Sequence, residues 1–564
     1  MFQQDPQPVG DSLFLSALCG AIPLITLFVL LGGLRLKAWL AGLISLGVAL
    51  LVAIVLFAMP VGQALLAATE GAAFGFFPIM WIVINAIWVY NLTVESGHFD
   101  VLRRSFGKVS ADQRIQAVII AFCFGALLEA LAGFGTPVAI SVVMLMALGF
   151  EPLKAAAVAL IANTAPVAFG ALATPIVTLS EVSSGASNDP GLTVDTLGSM
   201  VGRQTPILAV IIPLVLVLVV DGKRGVRQTW PAALVCGLSF GLAQFVASNY
   251  ISVPLADIFA ALVSAAAVVL LLRVWQPSEV IAVTAREDQA PTHGGSPAGS
   301  PGSHRTSASD VGTVLDTRSD VLKAYAPYAV IIAIFSIANI TAVKEFLAEP
   351  PFTYEFDWPG LEVLNAAGEP VASTVYNFNW FPAAGTLLIF AGVITALILK
   401  VSPSKAVKAY GATYVELKSA IITVMAVLAL AFVMNLSGQT TSLGLWLAGA
   451  GGAFAVLSPI LGWLGVAVTG SDTSSNALFG ALQVQTANQA GLDPVLMAAA
   501  NSSGGVLGKM ISPQNLAIAA AAVAMAGREG DIFRKVIGWS LGLLVLMCVI
   551  VGLQATPVLG WMVP

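Results

Sequence analysis

The residues best able to do chemistry in this chain occur twice, at matching spacings. One copy runs Gly133-Phe134-Gly135-Thr136-Pro137, Asn163-Thr164-Ala165-Pro166, Gly170 and Thr174-Pro175. The other runs Gly470-Ser471-Asp472-Thr473-Ser474, Asn501-Ser502-Ser503-Gly504-Gly505, Gly508 and Ser512-Pro513. Each Asn follows a similar approach, Gly149-Phe150-Glu151-Pro152 in one copy and Gly491-Leu492-Asp493-Pro494 in the other. Small polar residues with Gly and Pro interrupt a membrane helix, and the freed backbone groups survive only against protein or a water-filled cavity. Two such interruptions at corresponding places in two halves point to the binding site of a secondary transporter.

Thr136-Pro137, Thr174-Pro175 and Ser512-Pro513 predict helix starts, each with a hydroxyl at the cap and Pro at the first helical position. A helix start at membrane depth turns free N–H groups and a positive dipole end toward a cavity, where a carboxylate is the natural ligand. The candidate substrate contacts are therefore Gly133, Gly135, Thr136, Asn163, Thr164, Thr473, Ser474, Asn501, Ser502 and Ser503. Lys509 either attracts the substrate carboxylate or pairs with Asp472. Asp472 stands where the first copy has Gly135, and an ionisable group at membrane depth marks function. Asp472, Glu129 and Glu70 are thus the candidate proton carriers, while Arg203 is expected to anchor a helix end. No His lies in either motif, so neither a metal site nor a cofactor is expected.

The elements that must position these groups are membrane helices. The 564 residues are 58% hydrophobic and 10% charged, against roughly 25% charged in an average soluble domain. Mean hydropathy is +0.91. A water-soluble globule is excluded, and the formal net charge of -5 offers no basic face for nucleic acid. The apolar stretches account for roughly 12 to 14 transmembrane or re-entrant segments, an all-α polytopic membrane protein embedded in the lipid bilayer. The four cysteines sit in apolar stretches and read as packing residues.

Basic loops at Arg35 and Lys37, at Arg103 to Arg114, at Lys223 to Arg227, at Lys400 to Lys418 and at Arg528 to Lys535 belong in the cytoplasm by the positive-inside rule. The acidic stretch from Glu345 to Glu369, the N-terminus and the C-terminus then face outward. Residues 181–199 read as a polar loop, and 276–322, rich in Pro, Gly, Ser and Thr, as a disordered cytoplasmic linker. The first half, 1–275 with its core motif at 125–180, and the second, 323–564 with its core motif at 462–527, start on opposite sides. That is the condition for an inverted repeat.

Along Leu127 to Pro137, Ile161 to Gly170 and Ser502 to Asn515 the sequence resembles the bacterial lactate permease family, and the likeness extends over almost the whole chain outside the linker. The resemblance implies uptake of L-lactate, with glycolate and related 2-hydroxy acids, by proton symport across the inner plasma membrane. It also implies membership of a wider group of anion transporters with inverted repeats, re-entrant hairpins, a homodimer and an elevator-type moving domain. Dicarboxylate carriers of that group bind substrate and sodium through Ser-Asn-Thr-like tips, whereas the tips here read Gly-Thr-Pro and Asp-Thr-Ser, which fits protons better. A sodium- or proton-coupled carrier of another small organic anion, such as a dicarboxylate, is the alternative. A channel could also use re-entrant segments, and a membrane enzyme would need a partner for Asp472 that neither motif contains.

Overall fold

A computed structural model describes residues 1–281 and 316–564, Phe134 and Asn188 excepted. Among them, eleven helical stretches are long and apolar enough to cross a membrane, joined by three shorter apolar helices. The longest, Val194–Ile251, turns at Gly222 (φ 65°), where a left-handed residue lets one apolar run make two crossings. Strands are confined to short pairs: Phe2–Gln3 with Val363–Leu364, and Tyr354–Asp357 with Val375–Phe378. The protein is an all-α, multi-pass membrane protein.

Four broken or re-entrant elements build the centre. Helices α2 (Gly125–Ala132) and α3 (Thr136–Ala147) fold back on each other as a hairpin. Its base is tied where Gln113 Nε2 donates to the Leu148 carbonyl (3.3 Å). A second hairpin joins α7 (Phe454–Thr469) to α8 (Asp472–Ala490), with Ser475 Oγ donating across it to the Gly462 carbonyl (3.1 Å). Each tip turns on a left-handed glycine, Gly135 (φ 87°) and Gly470 (φ 77°), a backbone that side-chain-bearing residues rarely adopt.

Beside the hairpins, α4 (Pro152–Ala162) stops at Asn163 and α5 (Gly170–Ser184) follows. Ala171, Leu172 and Ala173 have φ of 44°, 52° and 60°, so regular helix resumes only at Thr174, whose hydroxyl donates to the Ala171 carbonyl (2.6 Å). In the second copy α9 (Pro494–Gly508) is separated from α10 (Pro513–Ala522) by a tight turn at Lys509–Ile511. Ser512 caps α10, its Oγ accepting from Asn515 N (3.4 Å). Helix α4 packs on α10 and α5 on α9, so the two broken elements run side by side in opposite directions.

Several sequence expectations need correction. Gly135, not Thr136, is the cap of α3, because the left-handed turn already redirects the chain one residue earlier. The polar loop expected at 181–199 is shorter: α5 continues to Ser184 and the next helix starts at Val194, capped by Thr193. Glu181 is therefore helical. The expected linker 276–322 lies outside the described residues from 282 to 315, and its last residues form the start of the helix Arg318–Ala338, capped by Thr317. The described ends are held by charge: Arg114 Nη2 donates to the Glu279 carbonyl (2.6 Å), and Arg104 forks onto Asp316 (2.6 and 3.0 Å). The cysteines are free, Cys123 and Cys236 lying buried 3.5 Å apart at sulfur.

Close packing carries the duplicated motif. A Cβ on Gly462 would collide with the backbone carbonyl of Asn501 on α9, whereas one on Gly449 would meet nothing within 4 Å. Gly462→Ala should lower stability by about 1–3 kcal/mol through overpacking, seen as a lower melting temperature in detergent, while Gly449→Ala leaves it unchanged.

Candidate functional site

Both hairpin tips and both helix breaks converge on one cavity of about 630 Å³. The first hairpin contributes Glu129, Gly133 and Thr136, and the second contributes Ser471, Asp472, Thr473 and Ser474. Thr174 of α5 and Lys509 of the second break join them, and the stretches 37–39 and 416–424 form the facing wall. The mouth lies beside Lys37 and Glu416.

Its electrostatic centre is an ion pair. Lys509 Nζ donates to Glu129 Oε1 at 2.6 Å, with the two side chains 9% and 3% exposed. The pair joins the halves of the sequence, 380 residues apart. Gly170 makes room for it, since a Cβ there would lie 2.8 Å from Glu129 Oε1. Glu129 Oε2 has no hydrogen-bond partner. The Asp472 to Lys509 pair weighed from the sequence is not formed. The turn at Lys509–Ile511 directs the ammonium to the first hairpin, and Asp472 is held otherwise: Ser502 Oγ donates to Asp472 Oδ2 (2.6 Å) and Asn476 Nδ2 to the same oxygen (3.4 Å). Asp472 Oδ1 is unpartnered, against Gly505.

The remaining predicted contacts divide. Gly133, Thr136, Thr473, Ser474 and Lys509 line the cavity, as do Glu129 and Asp472. Asn501, Ser502, Ser503, Asn163, Thr164 and Gly135 do not. Asn501 and Ser502 form the scaffold behind Asp472: Gln483 Nε2 donates to Asn501 Oδ1 (3.1 Å), and Asn501 Nδ2 donates to Asn476 Oδ1 (2.9 Å). Asn163 and Thr164 are buried in the first break without side-chain partners, as is the hydroxyl of Ser503 on α9. Gly135 abuts Ile518 of α10. Glu70 lies on α1 (Val61–Phe74), outside the cavity, in a small pocket of its own. Arg203 does anchor a helix end, with Nε on Asn249 Oδ1 (2.9 Å) and Nη1 on the Met562 carbonyl (2.8 Å).

Sequence reasoning missed Asn476, one turn after Asp472, and Asp257, a buried carboxylate accepting from Gln244 Nε2 (2.8 Å). The i, i+4 spacing to Asp472 was the available signal for Asn476. Nothing local distinguished Asp257. Chemically the cavity offers one buried ammonium, two buried carboxylates, eight hydroxyls and the start of α3, which no side chain caps. Such a site suits one small anion with hydroxyl functions.

Comparison with known proteins agrees in kind. The family model of L-lactate permease matches residues 16–558. The chain is 41% identical over 575 residues to an L-lactate permease of Bacillus subtilis, covering 99% of each protein. It is 41% identical over 578 residues to an L-lactate permease of Escherichia coli, covering all of each, and 43% identical over 566 residues to the glycolate permease GlcA of the same organism, covering 99% of this chain and 98% of that one.

Because removing one member of a buried pair strands the other, Lys509→Met should lower stability by about 3–5 kcal/mol. Lys509→Met with Glu129→Gln should recover part of that loss. A double-mutant cycle on thermal unfolding in detergent measures the coupling.

Proposed function

The chain belongs to the L-lactate permease family, and on that premise we propose that it takes up L-lactate, with glycolate and related 2-hydroxy monocarboxylates, by symport with protons. The ion pair of Lys509 and Glu129 carries this reading. Among the described cavity residues Lys509 is the one buried cation, so the site can neutralise one carboxylate at a time. A monocarboxylate fits that limit and a dicarboxylate does not.

Lactate entering beside an ionised Glu129 would place both carboxylates on one ammonium. Two like charges about 4 Å apart repel by about 4 kcal/mol at an effective dielectric of 20, roughly a thousandfold in affinity. A proton on Glu129 removes that repulsion and frees Lys509 to bind the substrate. Anion and proton then load together and leave the net charge of the site unchanged. Ser471, Thr473, Ser474 and Thr136 supply hydroxyls for the 2-hydroxyl group of the substrate, and the start of α3 favours its negative end. Asp472, fixed by Ser502 and Asn476, shapes the second tip rather than exchanging partners with the substrate. No bond in the substrate is made or broken, so the protein acts as a carrier and not as an enzyme.

The opposed course of the two broken elements supports two inverted halves about the cavity. Loop charge supports an inner-membrane orientation with both termini outside and 276–322 inside. The cavity then opens to the cytoplasm beside Lys37.

In proteoliposomes with an inward proton gradient, the parent should concentrate labelled L-lactate and Asp472→Asn should still respond to the gradient. Glu129→Gln should exchange lactate but no longer concentrate it. Accumulation by Glu129→Gln equal to the parent's would move the coupling group elsewhere, and failure of the parent to move lactate would overturn the substrate assignment.

A further inference from the structure

A second pair of carboxylates lies behind the substrate cavity. Glu70 of α1 and Glu181 of α5 line a separate cavity of about 90 Å³, room for at least one water. Glu70 is 1% exposed and its Oε2 has no partner. The walls are Phe74 of α1, Phe432 of α6 (Pro403–Leu436), Ser184 of α5, and Ser373 and Val375 of the segment after Val363–Leu364. Tyr376, the titratable group next to this lining, packs its ring on Phe74 (centroids 5.6 Å apart) and donates its hydroxyl to the Phe77 carbonyl (2.6 Å). Helix α6 contributes only a phenyl ring. No described basic side chain forms a salt bridge with either carboxylate, unlike Glu129 with its lysine.

The position of this pair is as telling as its chemistry. The strand Phe2–Gln3 pairs with Val363–Leu364, and Gln63 near the start of α1 donates to the Gly360 carbonyl (2.9 Å), so the pair lies toward the face that carries the N-terminus. The substrate cavity opens beside Lys37, at the other end of the helix crossings. Helix α5 touches both: Thr174 lines the substrate cavity, and Glu181, seven residues on, lies about 10 Å further along the helix at 1.5 Å per residue.

Two carboxylates, one buried and one half-buried, lining a single cavity of about 90 Å³ do not both ionise readily without a cation between them. We propose that Glu70 and Glu181 form an outer proton site, a carboxyl pair that holds one proton between them on the N-terminal face and sets the response of transport to external pH. A hydronium ion gives its proton to a carboxylate oxygen and leaves as water. The inference rests on proton symport as proposed above, and it differs from it in placing a second titrating site outside the substrate cavity.

The test compares the parent, Glu70→Gln, Glu181→Gln and Glu181→Asp in sodium-free proteoliposomes, each first shown to be monodisperse by size exclusion. Initial uptake of labelled lactate is measured against external pH, and lactate exchange at equal pH on both sides is measured in parallel. The parent's uptake should rise about tenfold per unit of acidification where one proton is bound. Each Gln variant should keep exchange and lose most of that external response, while Glu181→Asp keeps it. An unchanged pH response in both Gln variants, loss of exchange together with uptake, or rescue by added sodium would overturn the outer proton site. Absence of proton coupling in the parent would instead overturn the symport reading itself.

Discussion

One buried ion pair, Lys509 with Glu129, is the constraint on which the rest of this structure depends. It is the direct charge link between the two halves of the duplicated motif, and it sits in the wall of the cavity on which both hairpin tips converge. Taking two charges out of water costs several kcal/mol per ion, so such a pair persists only with close geometry and secure surroundings. Here the contact is 2.6 Å, Gly170 admits the carboxylate, and the second break delivers the ammonium. One oxygen of Glu129 is still without a partner, which leaves the carboxyl a place for a proton.

The fold keeps this pair in reach of solvent without flooding it. Continuous helices would bury every backbone group and leave no cavity. The interruptions at Asn163 to Ala173 and Lys509 to Ile511 open the centre, and the hairpin tips close in on it from both sides. Asp472 illustrates the division of labour. Its carboxylate is held by Ser502 and by Asn476, the latter secured in turn through Asn501 and Gln483, so the second tip has a fixed shape.

Much of this was legible in the sequence because interruption leaves a compositional mark. Gly, Pro, Ser and Asn inside apolar runs located both breaks and both hairpin tips, and Glu129, Thr136, Asp472, Thr473, Ser474 and Lys509 all line the cavity. The partner of Lys509 was not legible. Ion pairing across 380 residues depends on which way a three-residue turn aims a side chain, and spacing carries no record of that. Asn163, Thr164 and Gly135 lie outside the cavity lining: the left-handed residues Ala171 to Ala173, none of them a glycine, bring Thr174 to the wall instead. Loop boundaries failed where polarity was read as irregularity, as at Glu181, which belongs to a helix and lines a pocket of its own.

The two carboxylate sites share a physical logic. Charge at membrane depth is tolerated when something neutralises it: a lysine at Glu129, hydrogen-bond donors at Asp472, and at Glu70 and Glu181 a shared proton. In the proposed symport, substrate joins this scheme by displacing one neutralising contact with another, an exchange that would couple anion to proton without a large rearrangement of charge. The most direct measurement is the proton uptake that accompanies lactate binding to the purified protein, obtained by calorimetry in buffers of different ionisation enthalpy. The account predicts about one proton taken up per lactate bound by the parent, and about none by Glu129→Gln, in accordance with linkage. Lactate binding without proton uptake in the parent, or with equal uptake in Glu129→Gln, would contradict it.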